Sequence, residues 1–113
     1  MSGKIDYNFT GKVMTASISG YAEKSLMNGL VETFHQKLEE NFCDFVFNFA
    51  EMTQINSSAL GELLEIASQG MGRDNIRILF CAIPSACRLG MLSLGLLNFV
   101  EEHDSIEMAL ASL

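Results

Sequence analysis

The stretch that decides the fold is DFVFNFAEMTQINSSALGELL, which runs from Asp44 to Leu64. Its first part belongs to a nearly continuous apolar run, Phe42 to Ala50, of the kind found in a strand that is covered on both faces of a sheet. A polar segment, Glu51 to Ser58, follows and leads into an amphipathic sequence. We therefore predict a central strand, then a turn, then a helix.

The rest of the chain predicts strands and helices in alternation around this centre. The helix from Ser57 carries a stripe of Leu60, Leu63, Leu64 and Ala67, and the closing helix places Ile106, Ala109, Leu110 and Leu113 inward. The other predicted elements are strands Lys4–Phe9 and Lys12–Ser19 around a Thr10-Gly11 turn, helix Ala22–Glu40, strand Ile76–Ile83, helix Ser85–Leu94 after Pro84, strand Leu97–Glu101 and helix Ser105–Leu113.

This order of elements specifies an α/β fold. We expect a central, mostly parallel sheet of four to five strands, with an N-terminal hairpin and about four helices. The 113 residues suffice for one domain, 1–113, and leave no room for a second.

The charge and the apolar pattern exclude several kinds of partner. A net charge of −7, with scattered basic residues, argues against nucleic acid or an anionic membrane as the main ligand, because both need clustered Lys and Arg. The opening MSGKIDYNFTGK lacks the apolar core of a signal peptide, and no later segment reaches the roughly 20 apolar residues of a membrane span. We expect a cytoplasmic protein that does not insert into a membrane.

Residues for catalysis or metal binding are few. Cys81 lies in the apolar ILFCAI and reads as a buried small hydrophobe, and Cys43 and Cys87 lie near element ends without metal-site spacing. His35 and His103 are expected to be exposed, on a helix and in an acidic loop. The nucleotide, zinc and acyl-transfer motifs are absent from the sequence. We therefore expect no enzyme activity, no metal and no cofactor.

Two serines stand at the start of the predicted helix. A helix start carries free N–H groups that attract anions, so a phosphate on Ser57 or Ser58 would meet a receptive site. Serine is also a common helix cap, and this interpretation stays open at the level of the residues.

Asn48 is the polar residue within the apolar run that needs a partner, because an unsatisfied buried amide would cost roughly 1–3 kcal/mol. Ligands gather at the carboxyl ends of parallel strands, so we expect Asn48 and the Glu51–Ser58 segment to lie together there. The side chain then either fixes the turn or takes part in a site.

The order of elements and the sequence FVFNFAEMTQINSSALGELL together resemble the STAS domain, the family of anti-sigma factor antagonists. The family pattern is a strand ending in Asp-Leu-Ser, then Asp-Ser-Ser-Gly-Leu at a helix start. Here the matching residues are Asn48-Phe49-Ala50 and Asn56-Ser57-Ser58-Ala59-Leu60, and Pro84 and Gly95-Leu96 match later family features. Both family aspartates are therefore asparagine, and the glycine after the serines is Ala59.

The resemblance implies a partner switch in transcription regulation of the bacterial type. The second serine of the motif, here Ser58, would be phosphorylated by a cognate serine kinase that is also an anti-sigma factor, and a serine phosphatase would restore it. Partner binding would use the residues from Met52 to Gly61, with Ser57 as a second possible acceptor. The residues implied in the switch loop are Asn48, Met52, Thr53, Asn56, Ser57, Ala59, Leu60 and Gly61.

Two other functions stay open. The chain could be a STAS subunit of a transporter or signalling scaffold that works without phosphate, or a small-ligand sensor with a pocket at the strand ends. The sequence leaves the oligomeric state open as well, and a homodimer is one possibility.

Overall fold

One mixed sheet organises the chain. A computed structural model describes residues 2–113. The elements are β1 (Lys4–Thr10), β2 (Val13–Ala22), α1 (Lys24–Glu39), β3 (Asp44–Ile55), α2 (Ser57–Ser68), β4 (Arg77–Cys81), α3 (Ser85–Ser93), a short 3₁₀ helix (Leu96–Asn98), β5 (Glu101–His103) and α4 (Ile106–Ala111).

The strands lie in the order β1-β2-β3-β4-β5, so β3 is the central strand. β1 pairs antiparallel with β2, and each later neighbour pairs in parallel. The sequence prediction of a mostly parallel α/β sheet with an N-terminal hairpin and four helices is confirmed.

The main core lies between the sheet and helices α1, α2 and α3. Aromatic rings fill it: Phe34 of α1 lies 4.7 Å from Phe45 between ring centroids, and Phe80 of β4 lies 5.6 Å from Phe47 and 4.9 Å from Phe49. All five rings are fully buried. Alternate residues of β3 point to this face because side chains alternate along a strand.

A smaller core lies on the other face, where α4 packs on β3, β4 and β5. Ala109 of α4 forms one buried cluster there with Val46, Leu79 and Cys81. Burial raises the pKa of the Cys81 thiol to about 11, so this cysteine behaves as the buried small hydrophobe that the sequence predicted. α4 begins after Ser105, whose Oγ accepts a hydrogen bond from the N–H of Met108 at 3.2 Å.

The structure corrects several sequence predictions. β3 does not end at Ala50 but continues through Glu51–Ile55, which pairs with the end of β2. The hairpin turns at Gly11 and Lys12, because Thr10 still pairs with Val13. Helix α1 begins at Lys24 rather than Ala22, and Leu110 and Leu113 are exposed rather than inward.

The C-terminal segment differs in the same way. The predicted strand Leu97–Glu101 is a 3₁₀ turn followed by β5, which begins at Glu101. His103 lies in β5 and not in an exposed loop: its side chain is 20% exposed, and its Nε2 is buried 3.9 Å from Glu101 Oε1 without a hydrogen-bond partner in residues 2–113. A strand of three residues is too short for alternating apolar and polar side chains to predict it from the sequence.

Two arginine–glutamate pairs hold β5 in place. Arg77 of β4 donates to both carboxylate oxygens of Glu101, at 2.8 and 2.7 Å, and to the Ser112 carbonyl after α4, at 3.0 Å. Arg88 of α3 donates to both oxygens of Glu102. Consecutive strand residues point to opposite faces, so β5 is held from both sides of the sheet.

These pairs predict a stability that depends on pH. The hydrogen bonds from Arg77 and Arg88 lower the pKa of Glu101 and of Glu102 below the usual glutamate range. The two ion pairs therefore stabilise the fold above the usual glutamate pKa range, and this stabilisation is lost as the pH falls through the lowered pKa values of the two glutamates. Glu101 and Arg77 are 44% and 37% exposed, so we expect Glu101→Gln to remove about 0–1 kcal/mol near neutral pH. Urea unfolding at about pH 7 and about pH 3 checks this, since the difference in stability between the two proteins should shrink at the acidic pH.

Candidate functional site

The start of α2 is set by Asn56. This residue is extended, at φ −90° and ψ 168°, and its Oδ1 accepts a hydrogen bond from the N–H of Ala59 at 2.8 Å. Asparagine is among the best residues for this position, because its side chain satisfies an N–H that the helix leaves without a partner. Asn56 is therefore the helix cap.

The two serines that follow are not caps. Ser57 and Ser58 are exposed, and among residues 2–113 neither hydroxyl has a hydrogen-bond partner. Their backbone N–H groups lie in the first turn and likewise have no acceptor in that range. The interpretation of these serines as caps is wrong, and both hydroxyls are accessible beside donors that favour an anion.

The starts of α1 and α2 are neighbours. Ala22 pairs with Ile55 at the ends of β2 and β3, and the N–H of Asn56 donates to the Ala22 carbonyl at 3.2 Å. Only Glu23 separates Ala22 from α1. The exposed side chain of Glu23 is thus at the same end of the sheet as Ser58.

The residues predicted for the switch loop divide into exposed and buried sets. Thr53, Ser57 and Gly61 are exposed with Ser58. Met52, Ala59 and Leu60 are 3%, 0% and 8% exposed, so they pack beneath the surface and hold α2 on the sheet. Thr53 follows buried Met52 in β3 and so faces away from α2, and we call only the exposed α2 residues, Ser57, Ser58 and Gly61, the α2-start surface. The methyl group of Ala59 is part of the core.

Asn48 does not lie with this surface. Its Oδ1 accepts a hydrogen bond from the N–H of Ala50 at 3.1 Å, where the register between β2 and β3 shifts. It pairs with Cys81 at the end of β4, whereas β3 continues to Ile55, which lies about 17 Å farther along because the paired stretch of β2, Ser17 to Ala22, spans five steps of roughly 3.3 Å. We expected Asn48 to lie with the Glu51–Ser58 segment; its side chain contacts Ala50 just before that segment, and the helix start lies farther along because β3 extends beyond β4. Asn48 fixes the backbone at the shift.

The cap predicts a measurable stability effect. We expect Asn56→Ala to lower the free energy of unfolding by about 1 kcal/mol, since the Ala59 N–H loses its partner. Urea unfolding followed by circular dichroism measures the loss. Asn56→Asp is the matched control: an aspartate accepts the same hydrogen bond, so its stability should stay within about 0.5 kcal/mol of the original or exceed it. Equal losses in both variants would contradict the capping role.

Open depressions flank this end of the sheet. One of about 480 Å³ is lined by Ser2, Lys4, Ser19, Gly20, Glu51 and Thr53. Within residues 2–113 no three His, Cys, Asp or Glu side chains are grouped to hold a metal ion, and no helix is long and apolar enough to cross a membrane.

Comparisons with known proteins agree with this fold. No family model and no curated protein matches the sequence. Among solved structures, an anti-sigma factor antagonist of Mycobacterium paratuberculosis is 16% identical with a TM-score of 0.80, over 98% of this chain and 93% of that chain. The anti-sigma factor antagonist SpoIIAA in its unphosphorylated form is 12% identical with a TM-score of 0.80, over 96% and 94%.

A third structure, of a Thermotoga maritima protein assigned to the same class, is 12% identical with a TM-score of 0.81, over 96% of this chain and 92% of that chain. At these identities the likeness is one of fold. The chain has the STAS fold of the anti-sigma factor antagonists.

Proposed function

We propose that the chain is a regulatory protein-interaction module of the anti-sigma factor antagonist type, and that Ser58 is its reversible phosphoacceptor. The observation that carries the proposal is the exposed Ser58 hydroxyl, unpartnered within residues 2–113, at the start of α2 in a chain with this fold. The partner is a serine kinase or anti-sigma factor that binds the α2-start surface. The chain itself catalyses nothing and acts in the cytoplasm, and a separate serine phosphatase removes the phosphate.

The geometry favours a phosphate that changes binding and leaves the fold intact. Phosphorylation adds about −1.5 to −2 charges and three acceptor oxygens. At Ser58 these meet the free N–H groups of the first turn, which tolerate negative charge. Glu62, one turn along α2, and Glu23 add negative charge near this end of the sheet. A partner that packs on the unmodified surface would therefore meet a much more negatively charged surface after phosphorylation.

The neutral cap Asn56 supports a second candidate function. An aspartate at this position would place a carboxylate beside the acceptor hydroxyl, where a kinase could use it to orient the serine or a metal. Asn56 caps the helix without that charge. A STAS subunit of a transporter or scaffold, which binds its partner without phosphate control, has no need of it.

Recovery of tagged protein from its native host distinguishes the two candidates. Phosphopeptide mass spectrometry locates any phosphate, and the same eluate identifies bound proteins. We expect phosphate on Ser58 and a serine kinase in the eluate. The Ser57→Ala and Ser58→Ala variants form a matched pair, because both hydroxyls are exposed and the phosphate should disappear only from the second. An unmodified Ser58 across growth conditions, with a transporter or scaffold attached, would support the constitutive subunit instead.

A further inference from the structure

β1 is the longer of the two edge strands of the sheet, and within residues 2–113 no strand pairs with its outer edge. β1 and β5 are the two edge strands, and β1 has seven residues against three in β5. Six of its residues are exposed and Ile5 is half-buried. Its seven pairs with β2 run without a register shift. Natural edges are usually blocked by proline, a bulge or charges in mid-strand, and Asp6 is the one charged residue between Ile5 and Thr10.

The hairpin turn determines which backbone groups face outward. In a two-residue hairpin, the residues on either side of the turn, here Thr10 and Val13, form a hydrogen-bonded pair. Along an antiparallel strand, alternate residues turn both N–H and C=O to the same side. Asp6 and Asn8 therefore bond to β2 as Thr10 does, and Ile5, Tyr7 and Phe9 direct their N–H and C=O groups to the open edge.

From this edge we propose that the chain forms a two-fold symmetric homodimer by antiparallel pairing of β1 with β1 of a second copy. The sheet would then continue across both molecules. This inference does not depend on the function proposed for Ser58, because the α2-start surface and the β1 edge use different residues.

The sequence of β1 is self-complementary in one register. Centred on Tyr7, the pairing sets Ile5 opposite Phe9 of the second copy and Tyr7 opposite Tyr7, so each residue with outward backbone groups meets another. Asp6 then faces Asn8, and Lys4 faces Thr10. No like charges lie directly opposite one another, and apolar residues share one face. A register centred on Asp6 would oppose two carboxylates and pair fewer outward groups.

The aromatic side chains of β1 fit the same arrangement. Tyr7 and Phe9 are stacked, with centroids 5.8 Å apart, and they are 36% and 44% exposed on the face that carries α1. Lys37 of α1 lies 4.4 Å from the Phe9 ring centroid and covers part of it. A second β1 would bring Ile5 beside Phe9 and cover its exposed side. Aromatic and aliphatic cross-strand pairs of this kind stabilise antiparallel sheets.

The expected dimer is weak. One pair of seven-residue strands is only about 23 Å long at roughly 3.3 Å per residue, and buries less than the roughly 1,600 Å² of a standard interface. The net charge of −7 on each copy also opposes association at long range, so added salt should strengthen it. We expect dissociation at micromolar to submillimolar concentrations.

Sedimentation velocity over a dilution series tests this dimer. We expect the original chain to shift from monomer to dimer with concentration. Tyr7→Pro should raise the dissociation constant at least about tenfold, because it removes the outward N–H at the two-fold axis and leaves the bonds to β2 intact. Tyr7→Val is the matched control, since it keeps this N–H and suits a strand, and should dimerise within a few-fold of the original. A monomer at every concentration, or equal loss in both variants, would overturn the proposal.

Amide hydrogen exchange of the original chain supplies a second test that needs no variant. The N–H groups of Asp6 and Asn8 should be protected at every concentration, because they bond to β2. Those of Ile5, Tyr7 and Phe9 should gain protection only as the dimer forms. A dimer that leaves these three amides unprotected would use another surface and would contradict the pairing.

Discussion

Replacement of Phe47 by alanine should lower the free energy of unfolding by about 3–5 kcal/mol. Phe47 lies in the middle of the central strand, is fully buried and packs between Phe34 and Phe80, whose ring centroids are 6.4 and 5.6 Å away. Its removal leaves a cavity that the flanking strands β2 and β4 cannot close without losing their own pairing. Domains of this size have a free energy of unfolding of about 5–15 kcal/mol, and the substitution would therefore remove a large part of it. Urea unfolding measures the change.

Phe99 is the matched control for that substitution. Its side chain follows the 3₁₀ turn and is 37% exposed. Phe99→Ala should therefore cost about 1 kcal/mol or less, because little new cavity forms. A loss below about 1 kcal/mol for Phe47→Ala as well would mean that the aromatic core is not the main source of stability.

The second large effect is expected at the proposed switch. Ser58→Asp should weaken binding to the native partner at least about tenfold, which corresponds to roughly 1.4 kcal/mol. The new carboxylate stays at the exposed first turn of α2, where it is favourable to the helix and unfavourable to a partner that packs on the neutral surface. Titration calorimetry with the protein recovered from the native host measures the change.

Two further variants separate charge from shape at this surface. Ser58→Ala removes the hydroxyl without adding charge and should bind within about threefold of the original. Ser57→Asp adds the same charge one position away and should weaken binding less. Thermal unfolding should show that the stability of all three variants lies within about 0.5 kcal/mol of the original, because substitutions at exposed sites change stability little. Undiminished binding by Ser58→Asp would favour the constitutive subunit.

The sequence predicted the type and order of nearly all elements, because long periodic segments carry a strong signal. The prediction from the sequence was wrong at the point in β3 where the strand changes from being buried on both faces to being buried on one face. Glu51 and Thr53 are exposed on either side of buried Met52, which is the alternation of a strand with one covered face. Within a short polar segment that alternation reads as a turn. The pairing of this segment with β2, which makes it a strand, is a long-range contact that local sequence does not contain.

The start of α2 was located correctly, but its cap was not. Asn56, Ser57 and Ser58 are three consecutive residues that cap helices well, and local chemistry does not choose among them. The choice is made by the extended backbone of Asn56 and by the hydrogen bond that its Oδ1 accepts from the Ala59 N–H, and neither is visible in the sequence. The separation of Asn48 from this site depends on the unequal lengths of β3 and β4, which no single segment reveals.

The short, doubly clamped β5 has a consequence for assembly at high concentration. Growth of a sheet from molecule to molecule needs two open edges on each copy, and here the far edge offers only three residues held by Arg77 and Arg88. A two-fold symmetric dimer through β1 pairs the longer edge strand of each copy with its partner, so no such strand remains free to bind a third copy. The protein should therefore stop at a discrete species and not polymerise into filaments.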